Sequence, residues 1–349
     1  MAERHNRYDR HLNQRALEKK SRVKAAHIRR KAESEESGVT WTDFESQSVE
    51  GAQLCIVSSV RDKRITVMYH DKILDVTLAE TLPAKLGNRL VVGDEVFCML
   101  SEDGVSGIIQ ARQSRTSVLS RFKGERHRVS VLAQDEQIIG ANIDMAVIVV
   151  AKKHPAFHPR FVDRYLVICE NGGITPLVCM NKSDLSDENI PAIEWYRSAG
   201  IPVIETSTTT GQGIEALKKH IEGKMIVFVG NSGVGKSSLV NVILGAQLET
   251  KEVSSKTGKG KHTTTASCLY HWADDSYVID TPGIRSLGVF HIDKLNLQGG
   301  FPEFWEYANE CQYNDCSHSH EPICGVRKAV EDGAINQYRY ESYMRMLEE

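Results

Sequence analysis

The sequence predicts a multi-domain chain: an N-terminal β-barrel, a central α/β domain with a parallel sheet, and a mostly helical C-terminal domain. Three observations carry this prediction. Five short strands fall within residues 51–118, apolar strands alternate with helices over residues 119–290, and cysteines and histidines cluster within residues 291–349. With 349 residues, 41% of them hydrophobic, the chain is long enough to bury a sizeable core.

Residues 1–50 are predicted to form a flexible arm that is first basic and then acidic. Residues 1–31 carry eleven lysines and arginines against three acidic residues. A basic arm suits a polyanionic partner such as nucleic acid, and the alternative is a solvated tail with no partner. The start of the chain has no apolar signal segment, and the longest apolar run has the length of a strand. We therefore expect a cytoplasmic protein without a membrane partner, and separately we expect a monomer.

The stretch from 51 to 118 reads as five short strands separated by turn-prone segments such as "HDK" and "SEDG". Five strands in so short a stretch favour a small closed barrel, and the OB-fold is the natural candidate. A β-domain that binds no ligand is the alternative.

Over residues 119–290 the strands are apolar on both faces and alternate with helices. This pattern is typical of a parallel sheet covered on both sides. One strand, "MIVFVG", is followed by the motif G-x-x-x-x-G-K-[ST] and then by a helix, which is the context of a phosphate-binding P-loop. Its glycines allow backbone N–H groups to surround phosphates, Lys236 reaches the outer phosphates, and Ser237 is a candidate Mg²⁺ ligand. The predicted phosphate-loop residues are Gly230, Asn231, Ser232, Gly233, Val234, Gly235, Lys236, Ser237 and Ser238.

A second motif, Asn181-Lys182-Ser183-Asp184, follows another buried strand. The Asp184 carboxylate can accept both N–H donors of guanine, whereas adenine would leave it unpaired, so we expect GTP rather than ATP. Ser207, in a loop after the next strand, is a candidate for a further contact with guanine. An ordinary turn is the alternative there.

Metal and switch elements are predicted in the last part of this domain. Asp280 and Gly283 match D-x-x-G after a strand, which suits a metal-shell carboxylate and a contact with the γ-phosphate. Thr264 is favoured among three threonines to complete the Mg²⁺ shell. Ile284 stands where Ras-like enzymes carry a water-orienting glutamine, so His262 is the candidate catalytic residue, and an exposed loop histidine is the alternative.

The motifs that read the base precede the motif that binds phosphate, which is the reverse of the usual order. A parallel sheet tolerates this if the original termini were joined and new ones opened elsewhere. The sequence therefore predicts a circularly permuted GTPase domain.

A cluster near the C-terminus contains Cys311, Cys316, His318 and Cys324, which make a tetrahedral zinc set. His320 is a competing ligand by its spacing. Four protein ligands favour a structural zinc ion, which would hold together a short helical segment with little core of its own.

Taken together, these motifs resemble the RsgA (YjeQ) family of ribosome small-subunit-dependent GTPases. The resemblance rests on "RTSVLSR", "ANIDMAVIV", "NKSD", "GNSGVGKSS", "GKHTTT", "DTPGI" and the C-x₄-C-x-H-x₅-C cluster, and it covers the chain from about residue 51. It implies an OB-fold, a permuted GTPase domain and a zinc domain. It also implies GTP hydrolysis during late maturation of the small ribosomal subunit, stimulated by that subunit, with the arm and the barrel contacting rRNA.

The same resemblance supports His262 as the catalytic histidine and leaves His320 out of the zinc set. Two alternatives stay open. One is a nucleotide-gated RNA-binding or ribosome-binding paralogue with a different activator, and the other is a P-loop kinase or ATPase, which would bind ATP at least as well as GTP.

Overall fold

The computed structural model describes residues 44–61, 64–122, 136–245, 267–280 and 297–348. All but the last seven residues of the predicted N-terminal arm therefore lie outside the described residues. The chain divides into two compact units. One comprises Met1–Ile143 with Thr265–Tyr270 and Ile279–Thr281, and the other comprises Asp144–Thr264, His271–Val278 and Pro282–Glu349.

The first unit contains a closed five-stranded barrel with the strand order β1-β2-β3-β5-β4. The predicted barrel is thereby confirmed. Alternate residues of each strand point inward, and side chains such as Val57, Val67 and Val96 are fully buried in its core. The barrel strands are β1 (Gln53–Arg61), β2 (Arg64–Tyr69), β3 (Lys72–Leu78), β4 (Glu95–Leu100) and β5 (Ser106–Arg112).

An antiparallel strand pair, β6 (Val118–Phe122) and β7 (Glu136–Ala141), follows the barrel. We did not expect this pair from the sequence. The chain between the barrel and β6 is held by Arg115, whose guanidinium contacts both oxygens of the buried Asp94 at 2.6 and 2.7 Å. Asn142 ties the end of β7 to the barrel by donating to the Gly93 carbonyl at 2.9 Å.

The central sheet has six strands in the order β10-β9-β8-β11-β13-β12. Strand β8 is buried along its whole length and pairs in parallel with both β9 and β11, as a sheet covered on both faces requires. The edge strand β12 was not predicted. The strands are β8 (Met145–Ala151), β9 (Thr175–Asn181), β10 (Val203–Glu205), β11 (Met225–Val229), β12 (Cys268–Ala273) and β13 (Ser276–Asp280).

Four helices accompany this sheet: α1 (Pro159–Gly172), α2 (Pro191–Ser198), α3 (Ile214–Ile221) and α4 (Lys236–Leu244). Strand β11, which leads into the G-x-x-x-x-G-K-[ST] motif, comes after β9, which leads into Asn181-Lys182-Ser183-Asp184, and this reversed order is the predicted permutation. Strand β11 lies beside β8, although β9 and β10 intervene in the chain. Three residues, 222–224, join α3 to β11, and Gly223 takes a left-handed φ of 69° there.

The C-terminal region is short and mostly helical, as predicted, with α5 (Trp305–Ala308), α6 (Gly325–Glu331) and α7 (Gln337–Glu348). Two 3-10 turns, Gln298–Gly300 and Pro302–Phe304, precede α5. The core of this region includes Phe301, Phe304 and Tyr343, which pack ring against ring.

A buried arginine ties α7 to the α/β domain. Arg339 is 1% exposed, and its guanidinium pairs with Asp163 of α1 and with Glu303, the latter at 2.6 Å from Nε. Burial alone would lower the pKa of Arg339, but these two carboxylates raise it above its ordinary value. The guanidinium also lies 4.4 Å from the centre of the Phe301 ring.

Candidate GTP and metal sites

The phosphate loop joins β11 to α4 and contains three glycines with positive φ: Gly230, Gly233 and Gly235. At two of them a side chain has no room. A Cβ on Gly230 would lie 2.4 Å from the Val149 carbonyl oxygen, and one on Gly235 would lie 2.2 Å from Asn181 Nδ2. Glycine is therefore required for the loop to pass this close to β8 and β9.

Helix α4 begins at Lys236, so the N–H groups of its first turn point toward the loop, as in an anion-binding helix start. Lys236 Nζ folds back over the loop and donates to the carbonyls of Gly230 and Asn231 at 2.8 and 2.7 Å. Ser237 and Ser238 are exposed on the first turn. Lys236 and Ser237 thus lie where a phosphate group and its cation can reach them.

Asn181 connects the predicted base-reading motif to the phosphate loop. It ends β9, is 1% exposed, and donates from Nδ2 to the Val234 carbonyl at 2.9 Å. Its Oδ1 accepts from the Thr206 hydroxyl at 3.2 Å. Two loops that are 53 residues apart in the chain are thereby fixed to each other.

The loop after β10 completes this arrangement. Ser183 donates its backbone N–H to the Thr206 carbonyl at 3.0 Å and its hydroxyl to Gln212 at 3.2 Å. Ser207 is fully buried and accepts from the backbone of Thr210 at 3.1 Å. The structure therefore brings Asn181, Ser183 and Ser207 into one hydrogen-bonded group.

Asp184 differs from its neighbours because its side chain is exposed. Within the described part of the chain, no hydrogen bond or ion pair engages its carboxylate, so both oxygens are available to a ligand. Lys182, beside it in the motif, takes a left-handed φ of 58° and donates from Nζ to the His154 carbonyl.

These loops lie at a topological switch point of the sheet. From β8 the chain proceeds to β9 and β10 on one side, whereas β11 leads to β13 and β12 on the other. Open α/β sheets bind ligands at the carboxyl ends of the strands where the strand order reverses. Asp280 is the last residue of β13. The predicted residues Gly283, Thr264 and His262 lie outside the described residues, as does Ile284.

A separate metal-ligating cluster is formed by Cys311, Cys316, His318 and Cys324, whose ligand atoms all lie within 4.8 Å of one another. Nδ1 of His318 is 3.6 Å from Cys311 Sγ and 3.4 Å from Cys324 Sγ, and these two sulfurs are 3.9 Å apart. His320, the competing candidate, is exposed, and its Nδ1 lies 2.9 Å from the Ser319 hydroxyl instead.

The protonation chemistry of the cluster fits a metal site. Burial raises the pKa of the Cys316 thiol to about 12, so a cation is needed to hold that sulfur as a thiolate. Burial lowers the pKa of His318, which keeps the imidazole neutral and able to ligate. These four residues can therefore hold one cation.

The loop that carries these ligands is organised by Glu321. Burial raises the pKa of this carboxyl, but hydrogen bonds from the hydroxyl and backbone of Ser317 and from the Ser319 backbone outweigh burial and lower it to about 2. The carboxylate accepts from the backbone N–H groups of residues 317, 319 and 320 at 2.6, 3.0 and 3.2 Å.

Sequence reasoning missed several supporting residues, namely Thr206, Gln212, His154 and Gln298. Each acts through a contact with a residue that is distant in the chain. Only Thr206 had a signal, since it lies between the end of a strand and Ser207.

Comparison with known proteins gives a consistent result. The profile of the family described as RsgA GTPase matches residues 113–290. Proteins named small ribosomal subunit biogenesis GTPase RsgA are similar to this chain. The one from Photorhabdus laumondii is 42% identical over 275 residues, which cover 74% of this chain and 75% of that protein. The one from Chlorobaculum parvum is 40% identical over 279 residues, covering 78% and 89%.

Two solved structures share the fold. YjeQ from Thermotoga maritima has a TM-score of 0.65 at 30% identity, covering 85% of this chain and 97% of that one. YloQ, described as a circularly permuted GTPase, has a TM-score of 0.64 at 27% identity, covering 87% and 96%. The motif order, the strand order of the sheet and the extent of these matches agree, and the chain belongs to the RsgA GTPase family.

Proposed function

We propose that this protein hydrolyses GTP during late maturation of the small ribosomal subunit and that the subunit stimulates this hydrolysis. The chain is a GTPase by family, and the relatives it matches are named for small-subunit biogenesis. One observation carries the proposal: Asn181 joins the base-reading motif to the phosphate loop in a permuted sheet. That contact makes one nucleotide site from two segments in reversed order.

In this site the phosphate-loop amides and Lys236 hold the phosphates, and Asp184 accepts the two N–H donors of guanine. Asn181 and Ser207 position the loops around the base. Ser237 and Thr264 bind Mg²⁺ that arrives with GTP, while Asp280 and Gly283 serve the metal shell and the γ-phosphate. His262 orients the attacking water, in the role that Ile284 cannot fill.

Zinc is the cation we propose for the cysteine cluster. A tetrahedral Zn²⁺ with bonds of about 2.3 Å to sulfur and about 2.0–2.1 Å to nitrogen separates two sulfurs by about 3.8 Å and sulfur from nitrogen by about 3.6 Å. The corresponding distances here are 3.9 Å, and 3.6 and 3.4 Å. The set has no open position, so the ion is structural.

The proposed partners are GTP or GDP and the small subunit with its rRNA, bound by a monomer in the cytoplasm. The basic arm and the barrel are the expected rRNA contacts. None of the described helices is long and apolar enough to cross a membrane.

The test is GTP turnover by the purified full chain, alone and with small ribosomal subunits. We expect strong stimulation by small subunits and none by large subunits, the matched control. GTP binding without any stimulation would contradict the proposal. That outcome would favour the second candidate, a nucleotide-gated ribosome-binding protein with a different activator.

A further inference from the structure

The tripeptide Gln298-Gly299-Gly300 lies between the metal-ligating cluster and helix α1 of the α/β domain. Its first residue faces the cluster, and the other two face the helix. Nothing in its sequence marks it as functional, since it resembles an ordinary glycine-containing turn.

Gln298 contacts His318, the one histidine among the four candidate metal ligands. Its Oε1 lies 3.1 Å from Nε2 of His318, a residue that is 2% exposed. A neutral imidazole carries one N–H, and an amide oxygen only accepts hydrogen bonds. With the amide oxygen placed toward Nε2, the proton is assigned to Nε2, and the lone pair of Nδ1 is left for the side of Cys311 and Cys324, whose sulfurs lie 3.6 and 3.4 Å away.

Other contacts fix the plane and the backbone of His318. The Phe304 ring meets the imidazole edge to face, with ring centres 5.8 Å apart. The Tyr340 hydroxyl donates to the His318 carbonyl at 2.7 Å. These two contacts do not distinguish the two ring nitrogens, whereas the amide oxygen of Gln298 meets Nε2 alone.

The position of Gln298 is set by close packing of the two glycines on α1. A Cβ on Gly299 would lie 2.6 Å from Glu170 Cγ, and a Cβ on Gly300 would lie 2.3 Å from Val167 Cγ2 and 2.8 Å from its backbone nitrogen. The Gly300 carbonyl also accepts from Arg339 at 3.2 Å. The turn is therefore held against α1 independently of the metal ligands.

We propose that Gln298 is a positioning residue for the metal site, which selects the Nδ1-ligating tautomer of His318 and links the site to helix α1. Partners of this kind fix the orientation of a ligating histidine and raise its basicity. The inference rests on the proposed zinc site, because it concerns how the chain prepares that site.

The test measures Zn²⁺ affinity of the full chain by competition with a chromogenic chelator. Gln298→Ala removes the acceptor, and we expect roughly 10–100-fold weaker binding. Gln298→Glu keeps an acceptor at the same reach, so its affinity should stay near or above that of the unaltered chain. The matched control is Gln337→Ala, since the side chain of Gln337 is exposed and, among the described residues, bonds only to Glu341 of α7, and it should change nothing.

Two outcomes would overturn the inference. One is an unaltered affinity in Gln298→Ala, and the other is an equal loss in Gln298→Ala and Gln298→Glu, which would indicate packing alone. If the unaltered chain binds no zinc at all, the proposed cofactor fails instead, and the two failures are thereby distinguished.

A second measurement needs no variant. In the zinc-loaded chain, the ¹⁵N shifts of the His318 ring report which nitrogen holds the metal. We expect a metal-bound Nδ1 and a protonated Nε2 whose hydrogen exchanges slowly. Ligation through Nε2 would refute the proposal even if the Gln298 variants did not fold.

Discussion

Among single residues, Asp184 is the one proposed to select the base, through its exposed carboxylate. Asp184→Asn replaces one acceptor oxygen by a donor, which mismatches guanine and matches the carbonyl of xanthine. We expect GTP affinity to fall by at least 100-fold, within the range by which polar sites reject a wrong partner. We also expect xanthosine triphosphate to bind in its place, as measured with fluorescent nucleotide analogues.

Asp187→Asn is the matched control, because it makes the same change three residues later on the same exposed segment. It should leave both affinities unchanged. Equal GTP affinity in the Asp184 and Asp187 variants would show that guanine is read elsewhere.

His262 is the residue on which the chemical step is proposed to depend. His262→Ala should leave GTP affinity within a few-fold of the original and lower subunit-stimulated turnover by about 10²–10⁴, the usual contribution of a positioned general base. Single-turnover kinetics separate the two quantities. Normal turnover in this variant would show that hydrolysis does not require His262.

Among the structural elements, the phosphate loop depends on the absence of a side chain at position 235. Gly235→Ala places a methyl group at 2.2 Å from Asn181 Nδ2 and separates the two halves of the site. We expect loss of detectable GTP binding in a chain that still folds, measured by calorimetry and circular dichroism.

Gly223→Ala is the control for this change. It has a comparable left-handed φ of 69°, but nothing lies within 4 Å of the added Cβ. It should cost about 1 kcal/mol of stability and leave nucleotide affinity intact. Similar losses of binding in both variants would attribute the effect to backbone strain.

The sequence predicted most elements but not every strand. Strands β8, β9 and β11 are continuous apolar runs beside recognisable motifs, so their type and position follow from local pattern. Strands β6, β7 and β12 were missed because none of them is an unbroken apolar run. Their assignment depends on pairing with segments that the local pattern does not reveal.

The candidate site was predictable to the same extent. Motif spacing picked out the segments that contain Asn181, Lys236 and His318. It did not reveal that Asn181 bonds to Val234 or that Gln298 bonds to His318, because such contacts arise only when distant segments pack together.

For the whole molecule, the buried contact between Arg339 and Asp163 joins the C-terminal region to the α/β domain. Arg339→Met would leave the buried carboxylate of Asp163 and the partly exposed carboxylate of Glu303 without their cation. Breaking a buried pair in this way costs about 3–5 kcal/mol, whereas a surface pair contributes about 0–1 kcal/mol.

Denaturant unfolding should therefore show a large loss of stability for Arg339→Met. The control Arg197→Met, which removes an exposed pair with Glu194, should show little change. Equal losses of stability in the two variants would mean that the buried ion pairs of Arg339 stabilise the fold no more than an exposed pair does.

The candidate metal site is also expected to affect the stability of the whole C-terminal region, because Cys316 and Cys324 belong to its core. Removing zinc with a chelator should expose the backbone amides of residues 297–348 to hydrogen exchange, and added Zn²⁺ but not Mg²⁺ should restore protection. Unchanged exchange after proven metal removal would show that the region folds without the ion.

The place of β11, beside β8 in the sheet but after β10 in the chain, also determines the order in which the sheet can be completed during synthesis. Strands β8, β9 and β10 leave the ribosome first, and β8 then has one edge open until β11 emerges and inserts beside it. The pairing of β8 with β11 in the middle of the sheet therefore forms late, and β11 is the strand that leads into the phosphate loop. In the nascent chain this apolar edge of β8 therefore stays unpaired until about 70 further residues have been synthesised, and an unpaired strand edge of this kind promotes aggregation.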